Sequence, residues 1–146
     1  MSYKGFYKVR NYSKYKGDPT QCIFRSLWER KFMKFCDLNE NIVEWSSEEI
    51  RIPYRSPLDN RIHQYFVDFW VCMRDKDGSL KRYLVEIKPR KQTIPPVMKK
   101  SKRTFMNEMR IYVVNESKWK SAKQYCENRG WKFLILTEDH MFGKRK

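Results

Sequence analysis

Asp68, Glu86 and Lys88 are the residues whose types and spacing point to chemistry. Asp68 interrupts the apolar, aromatic stretch Tyr65-Phe66-Val67-Asp68-Phe69-Trp70-Val71, and Glu86 interrupts Tyr83-Leu84-Val85-Glu86-Ile87-Lys88-Pro89. Aromatic and β-branched residues dominate both stretches, so both are expected to be strands. Side chains alternate across a strand, which puts Glu86 and Lys88 on one face and Tyr83, Val85 and Ile87 on the other. The polar cluster Asp75-Lys76-Asp77-Gly78-Ser79 between them is a turn. A hairpin symmetric about Asp77 sets Asp68 directly opposite Glu86. The same register pairs Val67 with Ile87, Phe69 with Val85 and Val71 with Tyr83 on one apolar face, whereas a slip of one residue sets charge against core.

Carboxylates directly opposed across a ladder have Cβ atoms about 5 Å apart and repel. A hard divalent cation is the simplest compensation. Mg²⁺, with Mn²⁺ as its substitute, takes oxygen ligands and uses one or two carboxylates together with water and phosphate oxygens. Lys88, on the same face as Glu86, can bring positive charge to a phosphate or orient an attacking water. Metal and lysine together supply what phosphodiester hydrolysis needs. The alternative is a solvent-facing sheet surface where Asp68, Glu86 and Lys88 form ordinary cross-strand ion pairs.

The elements that must position these residues follow from periodicity and punctuation. Asp18-Pro19-Thr20-Gln21 is a good helix start, and Phe24, Trp28, Phe32 and Phe35 recur at helical spacing to about Asp37. Ile50, Ile52 and Tyr54 alternate as a strand that stops at Ser56-Pro57-Leu58-Asp59-Asn60. Tyr65 to Met73 is expected as a second strand and Arg82 to Lys88 as a third. Phe105, Met109, Tyr112, Trp119, Ala122 and Cys126 fit a helix that Gly130 ends. Within it, Ile111 to Val114 also has strand propensity, which leaves open a division into two segments near Asn115. Trp131 to Leu136 is a last strand. The order of helix, three antiparallel strands, helix and strand makes a mixed α/β (α+β) domain with one sheet. Residues 1–17 are expected as a basic, aromatic N-terminal arm, 18–142 as the domain, and 143–146 as a basic tail.

A chain of 146 residues is one domain's worth, and its 16% aromatic content argues against disorder despite 34% charged residues. The formal charge of +15, from 32 Lys+Arg against 17 Asp+Glu, draws a polyanion in. Nucleic acid is the default partner. No apolar run approaches the ~18 residues of a membrane span, and the N-terminus lacks a secretory apolar segment. The expectation is a soluble intracellular protein with no membrane partner. Cys22, Cys36, Cys72 and Cys126 lack disulfide or zinc spacing and are expected to be reduced and mostly buried. His63 and His140 are too few and too far apart for a histidine metal site.

The pair of motifs Tyr65–Val71 and Tyr83–Pro89 resembles the D…(D/E)-x-K core of the PD-(D/E)xK nuclease superfamily, whose members have a restriction-endonuclease-like core. More closely, it resembles the nuclease subunit of Tn7-type transposition, where an acidic residue on an upstream helix completes the site. Ser26-Leu27-Trp28-Glu29-Arg30 matches that S-x-x-E element, so the resemblance assigns the role to Glu29. Otherwise, Glu29 is an exposed helix glutamate paired with a neighbouring cation. The resemblance runs from about Gln21 to Asp139, where Lys118 to Asp139 matches the helix–strand ending of the group. In size and element order the whole chain is similar to the head-completion nucleases of T4-like bacteriophages.

That likeness implies an Mg²⁺-dependent deoxyribonuclease that trims or cuts packaged double-stranded DNA before heads and tails join. It implies contact with phage head, portal or neck proteins, residence in the virion or host cytoplasm, and no organic cofactor. Asp68 and Glu86 would bind the metal, with the Ile87 carbonyl as a further ligand. Glu29 would hold a second metal or a metal-bound water, and Lys88 would position the nucleophile or steady the transition state. His63 is a candidate proton donor, or else a strand-edge residue. Two departures from the pattern are conservative: Val67 stands where the family has Pro, and Glu86 where some relatives have Gln.

DNA contacts are expected from Lys88-Pro89-Arg90-Lys91 and Lys99-Lys100-Ser101-Lys102-Arg103, with Lys8 and Arg10 of the arm. Competing readings keep the fold but change the role. They are a non-catalytic structural protein that clamps DNA at a portal, and a junction-resolvase or transposase strand-cutting subunit. A plain RNA-binding module is weaker, because the aromatic RNP-type motif is absent.

Overall fold

The structure, a computed structural model, describes residues 4–99 and 101–142. Lys100 and the tail 143–146, both named above, lie outside the described residues. A short ribbon of β1 (Gly5–Phe6) and β2 (Ile23–Phe24) precedes α1 (Leu27–Leu38). Then come β3 (Ile42–Ser47), β4 (Arg51–Arg55), β5 (Ile62–Phe66), β6 (Phe69–Arg74) and β7 (Leu80–Ile87). The long α2 (Lys102–Glu127), β8 (Lys132–Leu136) and α3 (Glu138–Phe142) complete the chain.

The central sheet has the order β3-β6-β7-β8, antiparallel except that β8 runs parallel to β7. It is a mixed sheet covered on both faces. On one face Phe32, Met33 and Cys36 of α1 pack with Trp45, Phe69, Val71, Val85 and Ile87. On the other, Trp119, Ala122 and Cys126 of α2 and the β4–β5 hairpin residues Ile52, Tyr54 and Tyr65 pack with Leu84. The expected α+β architecture, with one central mixed sheet between helices, is the observed one. All four cysteines are free and buried.

The hairpin register follows the alternation read from the sequence, with Phe69 facing Val85 and Val71 facing Tyr83. The strand expected over Tyr65–Met73 is, however, two strands broken at Val67-Asp68. β5 leaves the central sheet to pair with β4, and β3 takes the place beside β6. The break has local causes. The Val67 N–H donates to the Ile50 carbonyl (3.1 Å), the Asp68 carbonyl accepts from Glu48 (3.0 Å), and the Asp68 carboxylate accepts the Ile87 N–H (2.9 Å). A side chain has taken the backbone donor that a continued ladder would use. Val67 consequently packs on the α2 face while Ile87 packs on the α1 face, so their expected pairing does not form.

Helix α1 begins at Ser26, later than Asp18. Asp18 caps only the single 3-10 turn Pro19–Gln21, and Phe24 lies in β2. Ser26 Oγ accepts the Glu29 N–H at 3.1 Å, and Glu29 Oε2 reaches past the cap to the Arg25 N–H at 3.2 Å, a relative of the capping box shifted by one residue that fixes the true start. Phe35, expected on the inner stripe, is 45% exposed, and Met33 and Cys36 are buried instead.

α2 is one unbroken helix through Asn115, and Gly130, with φ of 71°, follows its end. Neither β3 nor α3 was expected. The N-terminal segment packs against the domain: Val9 and Tyr15 are buried in the α1-side core. Buried Asp37 of α1 ties the segment down, accepting from the Tyr7 hydroxyl (2.8 Å) and the N–H groups of Arg10 (2.9 Å) and Asn11 (3.0 Å). Burial alone would raise the Asp37 carboxyl, but these donors outweigh it and hold it below its ordinary value.

Candidate active site

Three elements bring carboxylates together. Glu29 stands in the first turn of α1, where its carboxylate accepts the Arg25 N–H and the Ser26 hydroxyl. Asp68 sits in the break between β5 and β6, oriented by the Ile87 N–H. Glu86 occupies the penultimate position of β7, only 6% exposed, and accepts the Tyr65 hydroxyl through Oε2. Lys88 follows β7 on the Glu86 side, and its N–H donates to the Leu136 carbonyl (2.9 Å), tying it to the end of β8.

These charges feel one another. Burial pushes the Asp68 carboxyl well above its usual range, the Glu86 charge raises it further, and Glu29 adds to the rise. The Ile87 N–H and Lys88 oppose it. Burial also raises Glu86, with Glu29 adding, against the Tyr65 hydroxyl, Lys88 and Lys118. Glu29 is raised by burial first and by Glu48 next. All three acids are thus held where ionisation is costly, first because they are withdrawn from water and then because they face one another.

The donor set suits Mg²⁺. It is made of hard oxygens, and Asp68 Oδ1 and Glu86 Oε1 are without a protein hydrogen-bond partner among the described residues. Among those residues no three Asp, Glu, His or Cys side chains converge at metal-holding spacing. Two carboxylates completed by water, a carbonyl and a phosphate oxygen do not require such a trio. On that chemistry Asp68 and Glu86 fit the metal, with Ile87, the residue between Glu86 and Lys88, supplying a neighbouring carbonyl.

His63 lies elsewhere. It is exposed on β5, bonded to Asp59 at 2.8 Å and packed on Tyr54 at 5.8 Å between ring centres, a pin across the β4–β5 hairpin. The structure gives it none of the carboxylate group as a partner. Of the expected DNA-contact residues, Arg90 is engaged with α3, its N–H donating to Glu138 (2.7 Å) and its guanidinium 3.6 Å from Asp139. Lys91, Lys99, Lys102 and Arg103 are exposed. Lys102 and Arg103 open α2, which has no acid in its first turn. They add to the positive end of the helix dipole instead of offsetting it. Lys8 and Arg10 are exposed on the N-terminal segment, while Tyr7 and Tyr15 of that segment are occupied inside the protein.

Tyr65, Lys118 and the Arg25–Glu48 ion pair also reach the site and were not anticipated from the sequence. Tyr65 read only as a strand residue. A signal for Lys118 existed: it stands three residues after Asn115 and four before Ala122, inside the buried stripe of α2.

The chain is 42% identical over 144 residues to the head completion nuclease of Enterobacteria phage T4, covering 95% of this chain and 93% of that protein. Residues 39–138 match the TnsA-like endonuclease N-terminal family. That span holds Asp68, Glu86 and Lys88 and leaves Glu29 before it. With the mixed sheet and the carboxylates at the break before its central strand β6 and near the end of β7, this match over most of the chain places the protein: it belongs to the TnsA-like endonuclease N-terminal family.

Proposed function

We propose that the protein is an Mg²⁺-dependent DNA nuclease acting in phage head completion, where it processes packaged double-stranded DNA before head and tail join. The observation that carries this reading is the pairing of half-buried Asp68 with buried Glu86 beside Lys88, each carboxylate fixed by one hydrogen bond and keeping its other oxygen free. The name of the T4 relative supports the biological setting. The charge of +15 supports DNA as substrate, held through Lys91, Lys99, Lys100, Lys102 and Arg103, with Arg90, Lys8 and Arg10 at the margins. Head, portal or neck proteins are the expected protein partners, in the virion or in the host cytoplasm during assembly. No helix among the described residues is long and apolar enough to cross a membrane.

When bound by Asp68, Glu86 and the Ile87 carbonyl, Mg²⁺ (or Mn²⁺) supplies Lewis acidity toward the phosphate and acidifies water. The protein's own residues do the rest. Lys88 orients the attacking water and balances charge growing on the phosphate oxygens. Glu29 holds a second metal or a water molecule. The Ile87 N–H and the Tyr65 hydroxyl fix the rotamers of Asp68 and Glu86, so little reorganisation is left for the reaction.

The test compares linear and closed-circular duplex DNA incubated with Mg²⁺ and either the native protein or Glu86→Gln, both first shown to be folded. Metal-dependent cutting by the native protein, lost in the variant with DNA binding retained, is the expected result. Cutting of circles marks internal cleavage, and cutting of linear DNA alone marks end trimming. Binding without cutting in Mg²⁺ and Mn²⁺ would replace the nuclease with a DNA clamp.

A further inference from the structure

α2 buries Asn115, Trp119, Ala122 and Cys126 against the sheet and the β4–β5 hairpin. Lys118 stands within that stripe, one turn from Asn115 on one side and from Ala122 on the other. Its ammonium lies 5.7 Å from the ring centre of Tyr54 and 5.6 Å from that of Tyr65. The Tyr65 hydroxyl in turn bonds Glu86, so the two tyrosines hold the lysine at the rim of the carboxylate group. Glu86, Asp68 and Lys88 are the charges that act on it.

Yet Lys118 closes no salt bridge among the described residues. A half-buried ammonium loses hydration and side-chain entropy, and a fold that needed only a counterion for Glu86 would let the two touch. Here the cation is held by ring faces, which attract charge without using its N–H donors. Those donors remain open. One turn earlier, the buried Asn115 amide also carries an N–H without a partner.

We propose that Lys118 is a second phosphate-contacting cation of the active site, supplied by α2 and held over Tyr54 and Tyr65, alongside Lys88 from β7. The assignment rests on the nuclease reading and adds a residue from a different element to it. A cation here does two opposite things. It repels the metal that the carboxylates bind, and it attracts the phosphate whose charge grows during cleavage.

The test uses that opposition. Mn²⁺ binding to the full chain is followed by the loss of the free-ion electron paramagnetic signal, and single-turnover cleavage of duplex DNA is measured at saturating metal. Lys118→Met is expected to bind Mn²⁺ about threefold to tenfold more tightly, because a like charge has gone. Its cleavage is expected to be slower by about 10²-fold, the scale of a lost transition-state donor. Lys118→Arg keeps the charge and is expected to stay near native in both measurements. Should Lys118→Met lose its fold, Lys118→Gln carries the same two readouts.

Weaker metal binding together with slower cleavage would mark a merely structural lysine and overturn the proposal. Native-rate cleavage by Lys118→Met would overturn it alone, leaving the nuclease reading intact. No cleavage by the native protein in either metal would overturn both.

Discussion

If Asp68 and Glu86 are kept together for a metal, the metal-free protein is less stable for having them, and removing either charge should make the fold stronger. Coulomb's law sets the size of the effect. Two unit charges at about 5 Å, the spacing of facing strand residues, repel by about 3 kcal/mol at an effective dielectric near 20. Lys88 and Lys118 oppose that repulsion at Glu86, and the Ile87 N–H and Lys88 oppose it at Asp68. A net gain of about 1–2 kcal/mol is left for Asp68→Asn or Glu86→Gln, because each amide oxygen can still accept the Ile87 N–H or the Tyr65 hydroxyl. In a domain of this size that is a rise in Tm of about 3–6 °C.

The pH dependence has a definite sign. Both carboxyls are raised in the fold, so the penalty is fully present above their folded pKa values. It fades as pH falls through them and is gone below the unfolded values near 4. The assay is thermal unfolding without divalent metal from neutral to acid pH, then with Mg²⁺. The variant should melt higher at neutral pH, the gap should close on acidification, and Mg²⁺ should stabilise the native protein alone. At about ten times Kd that last effect is about 1.4 kcal/mol. A variant that melts lower than native at neutral pH, or a gap indifferent to pH and Mg²⁺, would show that the pair is not held against its own repulsion.

Two other perturbations probe different parts of the molecule. Asp37→Ala strips the acceptor from Tyr7, Arg10 and Asn11 and should cost about 3 kcal/mol, or roughly 10 °C in Tm. Asp37 is held below its ordinary value, so its contribution is present above about 3.9 and is lost as pH falls through the folded pKa. Native and variant melting curves should therefore converge in acid, and a gap that persists there would count against the anchor. Replacing Lys91, Lys99, Lys102 and Arg103 with Gln should flatten the dependence of log K for DNA on log salt by about 0.9 for each phosphate no longer neutralised. Cleavage at saturating DNA should change only a few-fold, and an unchanged salt slope would remove this surface from the interface.

Much of the catalytic half of the fold was legible because local and long-range signals agree there. The Asp75–Ser79 turn and the alternation on either side of it leave one register that keeps Phe69, Val71, Tyr83 and Val85 on a single face, and that register forms. The long periodicity of α2 overrode the strand propensity of Ile111 to Val114 for the same reason. What was hidden depends on partners distant in sequence. The break at Asp68 needs Ile50, Glu48 and Ile87 to claim the groups around it. β3 carries no alternation to read, since Trp45, Ser46 and Ser47 are consecutively buried. The start of α1 was expected at Asp18, whose cap serves only a single turn, and the bonds that join Ser26 and Glu29 set it eight residues later. The helical period puts Lys118 within the buried stripe of α2, but the Tyr54 and Tyr65 rings beneath it come from a hairpin far away in sequence.

Whether Asp68 and Glu86 hold the metal that cuts DNA can be asked in a single comparison. Closed-circular duplex DNA is incubated in Mg²⁺ with the native protein or with Asp68→Asn at matched DNA occupancy, and chelator is added to a parallel native sample. The native protein should cut only with metal present, and cutting should vanish in a variant that melts higher and still binds DNA. Undiminished cutting by Asp68→Asn, or native cutting that survives chelation, would take the metal away from this pair.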